Sequence, residues 1–327
     1  MTITNRDNSL DILRILACMM VVMMHSPVPL AEGKSNFMLG AISYLMAPCN
    51  GLFFMVSGAL LFGRGLPLDQ FLKKRLGRII WPVWVWSMVY ILVDKSKIEG
   101  IAEQLLWIPF YRTDACGYLW FMYALVGCYF LVPIVEPWLM KSSRREQEMV
   151  LGVWLVASLL PIITVYLNIP AFDEHSAWYY LGGFFGYFLL GWYTNQNHFT
   201  WKQIAIAFVC SVLLMVISYK QANLGVNVNC YLHPYVILLS FVVFASIKKL
   251  FAQCDPKSNM LVSLASCTFG VYLIHSLLLN TFLKQQDILN ELPIELGIFL
   301  RWGVTVIIGF SIMLLLRKIP GHKYLIG

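Results

Sequence analysis

Charged residues are scarce in this chain. Lys, Arg, Asp and Glu make up 13% of its 327 residues, about half of the roughly 25% that a soluble domain carries. Hydrophobic residues make up 59%, and the mean hydropathy is +0.70. Low-complexity tracts and interdomain linkers are missing too. These absences exclude a soluble enzyme and predict a single membrane-embedded domain over residues 1–327.

Metal-binding and nucleic-acid-binding patterns are also missing. The eight cysteines are scattered without a C-x-x-C pair, so neither a zinc site nor a redox motif is predicted. The net charge of +7 shows no interleaving of basic and aromatic residues, which excludes a nucleic-acid surface. We therefore expect no metal, no permanently bound cofactor and no nucleic-acid partner.

Long apolar stretches recur from end to end, and they predict an all-α membrane protein with about ten transmembrane helices. If both termini lie in the cytosol, sixteen of the 24 Lys and Arg residues are on the cytosolic side. Seven are outside, Arg301 among them. In the sixth span, Gly182 and Gly186 form a small-xxx-small pair that predicts a close helix approach. The predicted spans lie at about 10–30, 38–62, 79–94, 117–138, 149–169, 177–193, 201–219, 231–251, 261–282 and 296–316.

Arg14 and His25 stand inside the first apolar segment in the pattern R-x10-H. Eleven steps on an α-helix are close to three turns, so both side chains share one face, about 16 Å apart. A neutral imidazole can accept a proton from a hydroxyl nucleophile, and a guanidinium can bind phosphate. The structural alternatives stay open: His25 could hydrogen-bond a neighbouring helix, and Arg14 could pair with Asp11, one turn earlier.

Further polar residues lie near the predicted cytosolic side. Ser57 and Gly58 form a small pair that could admit a ligand chain or a close helix. Arg75 and Arg78 belong to the basic stretch 71–82. This stretch either marks the cytosolic side and contacts lipid headgroups, or forms a site for a polyanionic ligand.

Other candidates lie toward the predicted outer side. Trp120 and Tyr123 open the fourth span, where aromatic residues usually form an interfacial belt. Tyr272 and His275 share one face of the ninth span. They either line a polar cavity or form structural hydrogen bonds. At the opposite, cytosolic end of the fourth span, Glu136 stands between two prolines and is predicted to end the span.

Together these pieces resemble the acyltransferase-3 family of integral membrane acyltransferases. The chain looks most like the bacterial subgroup that O-acetylates surface polysaccharides or their lipid-linked precursors, which includes enterobacterial common antigen O-acetyltransferases. One departure is that the stretch Leu119–Ala124 lacks the Ser-x-Glu motif of many O-antigen members. The matching stretches are Leu10–Arg14 with His25, Phe53–Gly58, Lys74–Pro82, Leu119–Phe121, Tyr187–Gly191 and Gly270–His275.

The resemblance implies acetyl-CoA as a cytosolic co-substrate, a glycan or lipid-linked glycan acceptor on the outer side, and a multi-pass location in the bacterial inner (plasma) membrane, among its lipids. His25 matches the family's essential histidine and Arg14 its paired arginine. A homo-oligomer is compatible with the sequence. The residues expected to bind the donor are Arg14, Ser57, Arg75 and Arg78; those expected to contact the acceptor or the oxyanion are Trp120, Tyr123, Tyr272 and His275.

A function of another class stays open, namely a non-enzymatic transporter or flippase of glycan precursors. Such a protein would also need polar groups inside the membrane. The chain has no convincing internal repeat, although many transporters are built from repeated halves. The sequence therefore favours the enzyme.

Overall fold

A computed structural model describes residues 7–27, 37–94, 100–167, 175–223, 230–251, 259–286, 289 and 291–327. Every regular element in these ranges is a helix. Nine helical segments in these ranges are long and apolar enough to cross a membrane, and one of them, Met38–Leu61, consists of two consecutive helices. The predicted all-α, multi-pass membrane architecture is thereby confirmed. The cytosolic position of both termini stays a prediction from the charge distribution.

The helices begin and end where the sequence carries suitable residues. Pro48 and Pro234 each stand in the first turn of a helix, where a missing N–H costs nothing. Lys248 and Lys249 lie in the last turn of their helix, where cations favour the dipole. The helices are α1 (Asn8–His25), α2 (Phe37–Met46), α3 (Pro48–Leu61), α4 (Leu68–Val93), α5 (Ile101–Trp107), α6 (Trp120–Lys141), α7 (Arg144–Leu167), α8 (Phe185–Gln196), α9 (Trp201–Asn223), α10 (Pro234–Phe251), α11 (Asn259–Leu277), α12 (Ile294–Leu316) and α13 (Lys323–Ile326).

The predicted sixth span is interrupted. A short 3₁₀ helix covers Ala177–Leu181, and Gly183 then adopts a φ of +107°, which a residue with a side chain rarely tolerates. Helix α8 that follows has only 12 residues. Its length of about 18 Å is well short of the roughly 30 Å hydrocarbon core. Termini on one side of the membrane need an even number of crossings, so this interrupted segment would have to supply the tenth.

The fourth span also differs from the prediction. Helix α6 continues through both prolines to Lys141, so Glu136 does not end it. Glu136 is buried, and its carboxylate accepts hydrogen bonds from the backbone N–H groups of Arg64 (2.7 Å) and Gly65 (3.0 Å). The prediction was wrong because a membrane helix tolerates proline when other groups satisfy the freed backbone.

The chain divides into two compact units. The first comprises Met1–Leu13, Ala47–Gly65 and Leu131–Lys257. At its centre the backbones of α3 and α8 touch. A Cβ atom on Gly58 would lie 2.1 Å from the carbonyl oxygen of Phe188, and one on Gly191 would lie 2.0 Å from that of Met55. Only glycine permits this reciprocal contact.

The predicted pair of Gly182 and Gly186 is not the close approach in this unit. Gly182 lies in the interruption before α8. A Cβ atom on Gly186 would lie 2.0 Å from the indole of Trp154 in α7. That indole donates a hydrogen bond from Nε1 to the carbonyl of Gly183 over 2.9 Å. The space at Gly186 therefore accommodates a tryptophan side chain.

The second unit comprises Arg14–Met46, Leu66–Phe130 and Ser258–Gly327. Its central helix is α11, which packs against α12 and α4. The hydroxyl of Tyr90 in α4 donates to the carbonyl of Leu273 in α11 over 2.9 Å. The indole of Trp302 in α12 donates to the carbonyl of Met19 in α1 over 3.0 Å. These bonds join α4 to α11, and α12 to the part of α1 that belongs to this unit, around the candidate site.

Candidate functional site

His25 is the last residue of α1 and is partly buried. Its Nδ1 lies 2.9 Å from the carbonyl oxygen of Val21, one turn earlier in the same helix. A carbonyl oxygen only accepts hydrogen bonds, so in neutral His25 the proton is on Nδ1. The lone pair is then on Nε2. This hydrogen bond orients the ring and leaves a basic nitrogen available for another group.

His275 in α11 lies beside His25. The two ring centroids are 5.1 Å apart, and the ring planes meet at 71°. Nδ1 of His275 donates to the carbonyl of Tyr272, and its Nε2 is buried without a hydrogen-bond partner. Within the described ranges, no carboxylate contacts either imidazole. Backbone carbonyls therefore hold both rings, in place of the aspartate of a catalytic triad.

Tyr118 completes this group from the short 3₁₀ helix Gly117–Leu119 that precedes α6. Its ring stands edge-on to the His25 ring, with centroids 4.3 Å apart. The hydroxyl of Tyr272 donates to the backbone carbonyl of Tyr118 and so holds this turn against α11. Tyr118 was missed in the sequence because aromatic residues at the start of a span are typical of interfacial belts.

A polar chain extends from Tyr118 along the end of α11. The side chain of Asn280 lies next to that of Tyr118. The amide nitrogen of Asn280 in turn donates to the hydroxyl of Ser276 over 3.0 Å. The side chain of Ser276 lies next to that of Tyr90. Sequence reasoning missed this chain, although Asn280 inside an apolar stretch was a usable signal.

The helical backbone changes its winding at this place. The segment Leu278–Leu283, which continues α11, is a π-helix. π-helical turns are rare and occur frequently at functional sites. Asn280 is the third residue of this segment. The π-helix had no recognisable signature in the sequence.

A second arginine inside a span holds the end of the π-helix. Arg301 lies seven residues into α12 and is fully buried. Its Nη1 donates to the carbonyl of Leu283 over 2.7 Å. The count of cations on each side placed Arg301 on the outer side, and that placement stays a prediction. The structure adds that its side chain is buried in the protein and held by this bond.

The structure brings three predicted residues together, namely His25, Tyr272 and His275. Arg14 is partly buried on the same unbroken helix as His25, three turns away, as the R-x10-H spacing predicted. Ser57 belongs to the first unit, and its hydroxyl donates to the carbonyl of Phe53 over 2.8 Å.

The two remaining outer candidates have other neighbours. Trp120 packs edge-on against Phe121, with centroids 6.2 Å apart. The hydroxyl of Tyr123 contacts the carbonyls of Ile108 (2.6 Å) and Tyr111 (3.0 Å), so it fastens the segment before α6. These two contacts engage the Tyr123 hydroxyl in fixing the conformation of the segment around Ile108 and Tyr111.

The basic stretch of α4 lines a pocket together with the C-terminal segment. Arg78 is exposed and borders this pocket, whereas Arg75 is partly buried. The pocket has a volume of about 370 Å³ and no acidic residue in its lining. Sequence reasoning missed the C-terminal contribution because residues so distant in the chain meet only in the fold. The lining residues are Lys73, Lys74, Gly77, Arg78, Gly321, His322, Lys323 and Tyr324.

The fold and the site define a class: a multi-pass helical membrane protein with histidine side chains collected inside one helical unit. The family model of the acyltransferase-3 family, described as an acyltransferase domain, matches residues 7–317. The chain therefore belongs to this family of membrane acyltransferases, and its activity is acyl transfer. Comparisons with curated proteins and with solved structures returned no match.

Proposed function

We propose that the protein transfers an acetyl group from cytosolic acetyl-CoA to a sugar hydroxyl of a surface polysaccharide or of its lipid-linked precursor. The reaction would take place in the bacterial inner membrane, with His25 as general base. The observation that carries this proposal is the bond between Nδ1 of His25 and the carbonyl of Val21. It leaves Nε2 as the proton acceptor in a ring of fixed orientation.

The chemistry balances through one nitrogen. Nε2 of His25 takes the proton of the acceptor hydroxyl, and the oxygen attacks the carbonyl carbon of the thioester. The C–S bond of the tetrahedral intermediate then breaks, and the thiolate of CoA takes the proton back from Nε2. The products are the sugar ester and free CoA. Direct transfer is the simpler route; an acyl-histidine intermediate is the variant in which Nε2 attacks first.

The other members of the histidine group support this step by position. Tyr272 uses its hydroxyl to hold the backbone of Tyr118, which in turn contacts the ring of His25. His275 packs beside the ring of His25 with its buried Nε2 free to accept a hydrogen bond, while the transferred proton stays on Nε2 of His25.

The donor would enter by way of the basic pocket. CoA carries several phosphate groups, and the pocket offers Lys73, Lys74, Arg78 and Lys323 without an opposing carboxylate in its lining. The pantetheine arm would extend past Arg14 toward His25. The distance of about 16 Å between these two residues is roughly half of the hydrocarbon thickness, so a long flexible arm suits the route.

Charge reversal in the basic pocket tests the donor site. We expect Arg78→Glu and Lys323→Glu each to raise the KM for acetyl-CoA about tenfold or more, because each loses a charge-assisted contact to phosphate and adds a repulsive charge. The kcat should change much less, since the pocket does not contact the reacting atoms. Steady-state kinetics at several acetyl-CoA concentrations measures both.

The matched control is Lys202→Glu, which reverses an exposed charge on α9 in the first unit. It changes the net charge equally and should leave the KM for acetyl-CoA unchanged. A wild-type KM in both pocket variants would place the phosphates of the donor elsewhere.

The reaction itself is tested with purified protein in lipid vesicles, radiolabelled acetyl-CoA, and glycan extracted from a strain that lacks the gene. The expected result is consumption of acetyl-CoA and a labelled glycan. Mass spectrometry of the surface glycan with and without the gene should differ by one acetyl group per modified residue. A transporter or flippase would instead leave acetyl-CoA intact and move unmodified glycan across the vesicle membrane.

A further inference from the structure

The hydrogen-bonding groups of the polar chain next to His25 have no role in the reaction described above. The chain consists of Tyr118, Asn280, Ser276 and Tyr90, whose polar side chains lie next to one another. Within it the amide of Asn280 donates to the hydroxyl of Ser276 over 3.0 Å. Its first member stands edge-on to the imidazole of His25 at a centroid distance of 4.3 Å. A molecule whose hydroxyl meets Nε2 of His25 would therefore lie close to Tyr118, from which the chain continues to Asn280.

Two members of the chain are accessible. Tyr118 and Asn280 are only partly buried, whereas Ser276 and Tyr90 are buried at 4% and 6% exposure. Tyr90 is also occupied twice by backbone groups, because it donates to the carbonyl of Leu273 and accepts from the N–H of Leu277. The buried members thus support the accessible pair.

The backbone around Asn280 is held in an unusual conformation. Asn280 lies within the π-helix Leu278–Leu283, whose last carbonyl is bound by the buried guanidinium of Arg301. An ionisable residue inside a span is costly and is commonly retained for function. The combination of a π-helix and a buried arginine holds the amide of Asn280 next to Tyr118.

The chemistry of the accessible pair selects the ligand. An amide and a phenol donate and accept hydrogen bonds without carrying charge. They can bind the neighbouring hydroxyl groups of a neutral polyol. A phosphate or carboxylate binds more strongly to cationic side chains. A neutral sugar ring presents several hydroxyls within a few ångströms of one another, so one can react while others are held.

We infer that Tyr118 and Asn280 form the binding subsite for a neutral sugar acceptor, an inference that rests on the proposed function. The Asn280 amide and the Tyr118 hydroxyl bind hydroxyls adjacent to the reacting one. This contact holds the reacting hydroxyl within reach of Nε2 of His25. The donor does not contact this pair.

The test compares Tyr118→Phe and Asn280→Ala with the wild type, as full-length protein in lipid vesicles. The acceptors are glycan from a strain lacking the gene and the methyl glycosides of glucose, galactose and N-acetylglucosamine. We expect the acceptor KM to rise about 3- to 10-fold in each variant, from the loss of a neutral hydrogen bond to substrate. The KM for acetyl-CoA should stay at its wild-type value.

Asn280→Gln and a control, Tyr180→Phe, complete the design. Tyr118→Phe keeps the ring against His25, so it tests the hydroxyl even where Asn280→Ala fails to fold. Asn280→Gln keeps the amide but moves it by one methylene, and it should change the order of preference among the three glycosides. The control is Tyr180→Phe, which removes a hydroxyl from a residue 71% exposed in the first unit.

The outcomes separate the inference from the function it rests on. Wild-type acceptor KM values and unchanged glycoside preference in these variants would overturn the subsite, and so would an equal rise in the KM for acetyl-CoA. If instead the wild-type protein consumes no acetyl-CoA with any acceptor, the proposed function itself fails.

Discussion

His25→Gln lowers the rate of acyl transfer by about 10²–10⁴-fold, the usual contribution of a general base. Glutamine has similar length and can still donate a hydrogen bond to the carbonyl of Val21. It has no nitrogen that accepts a proton near neutral pH, so the acceptor hydroxyl stays protonated. The loss should appear in kcat, while the KM for acetyl-CoA changes little. Kinetics with radiolabelled acetyl-CoA in lipid vesicles measures both.

The matched control for this prediction is His198→Gln, which changes an exposed histidine in the first unit. It should retain the wild-type rate. Correct insertion of the His25 variant is checked by its thermal unfolding midpoint and its elution as a monodisperse species. A correctly folded His25→Gln protein with wild-type turnover would rule out the proposed base.

Gly191→Val prevents the protein from accumulating in the membrane in folded form. The first β-carbon alone would lie 2.0 Å from the carbonyl oxygen of Met55, and a backbone atom cannot turn away as a flexible side chain can. Overpacking in a core typically costs about 1–3 kcal/mol. A clash between two helix backbones exceeds that range, because α3 and α8 must separate. Gly58→Val should behave in the same way against Phe188.

Gly152→Val in α7 is the control for this pair, because a Cβ atom there would meet nothing within 4 Å. It places the same side chain in a helix of the same unit. Fluorescence-detected size-exclusion chromatography and thermal unfolding in detergent compare the three variants. A folded Gly191→Val protein with an unchanged unfolding midpoint would contradict the contact between α3 and α8.

The sequence predicted local features of the site well and long-range ones poorly. The R-x10-H pattern placed Arg14 and His25 on one face because helical spacing depends on local geometry alone. The approach of His275 to His25 depends on how α11 packs against the rest of the second unit. The spacing of residues along the sequence does not reveal this packing. Asn280 was recognisable as a polar residue in an apolar stretch, but its π-helical backbone was not.

What the sequence did not show depends on tertiary packing. The count of charges gave no sign that the side chain of Arg301 is buried and held by a carbonyl of the π-helix. Glu136 was predicted to end a helix because proline usually ends helices in soluble proteins. That rule does not hold in a membrane helix whose freed backbone groups find other partners. The interruption at Gly183 was readable in principle, from two adjacent glycines.

The carbonyl bonds at Nδ1 of His25 and His275 also restrict where protons can travel. A backbone carbonyl has no proton to release, so a ring anchored in this way exchanges protons through Nε2 alone. In the proposed mechanism the proton that leaves the acceptor returns from the same nitrogen to the departing thiolate. Neither ring can then pass a proton from one of its nitrogens to the other. The proposed transfer returns its own proton and takes none from either aqueous phase.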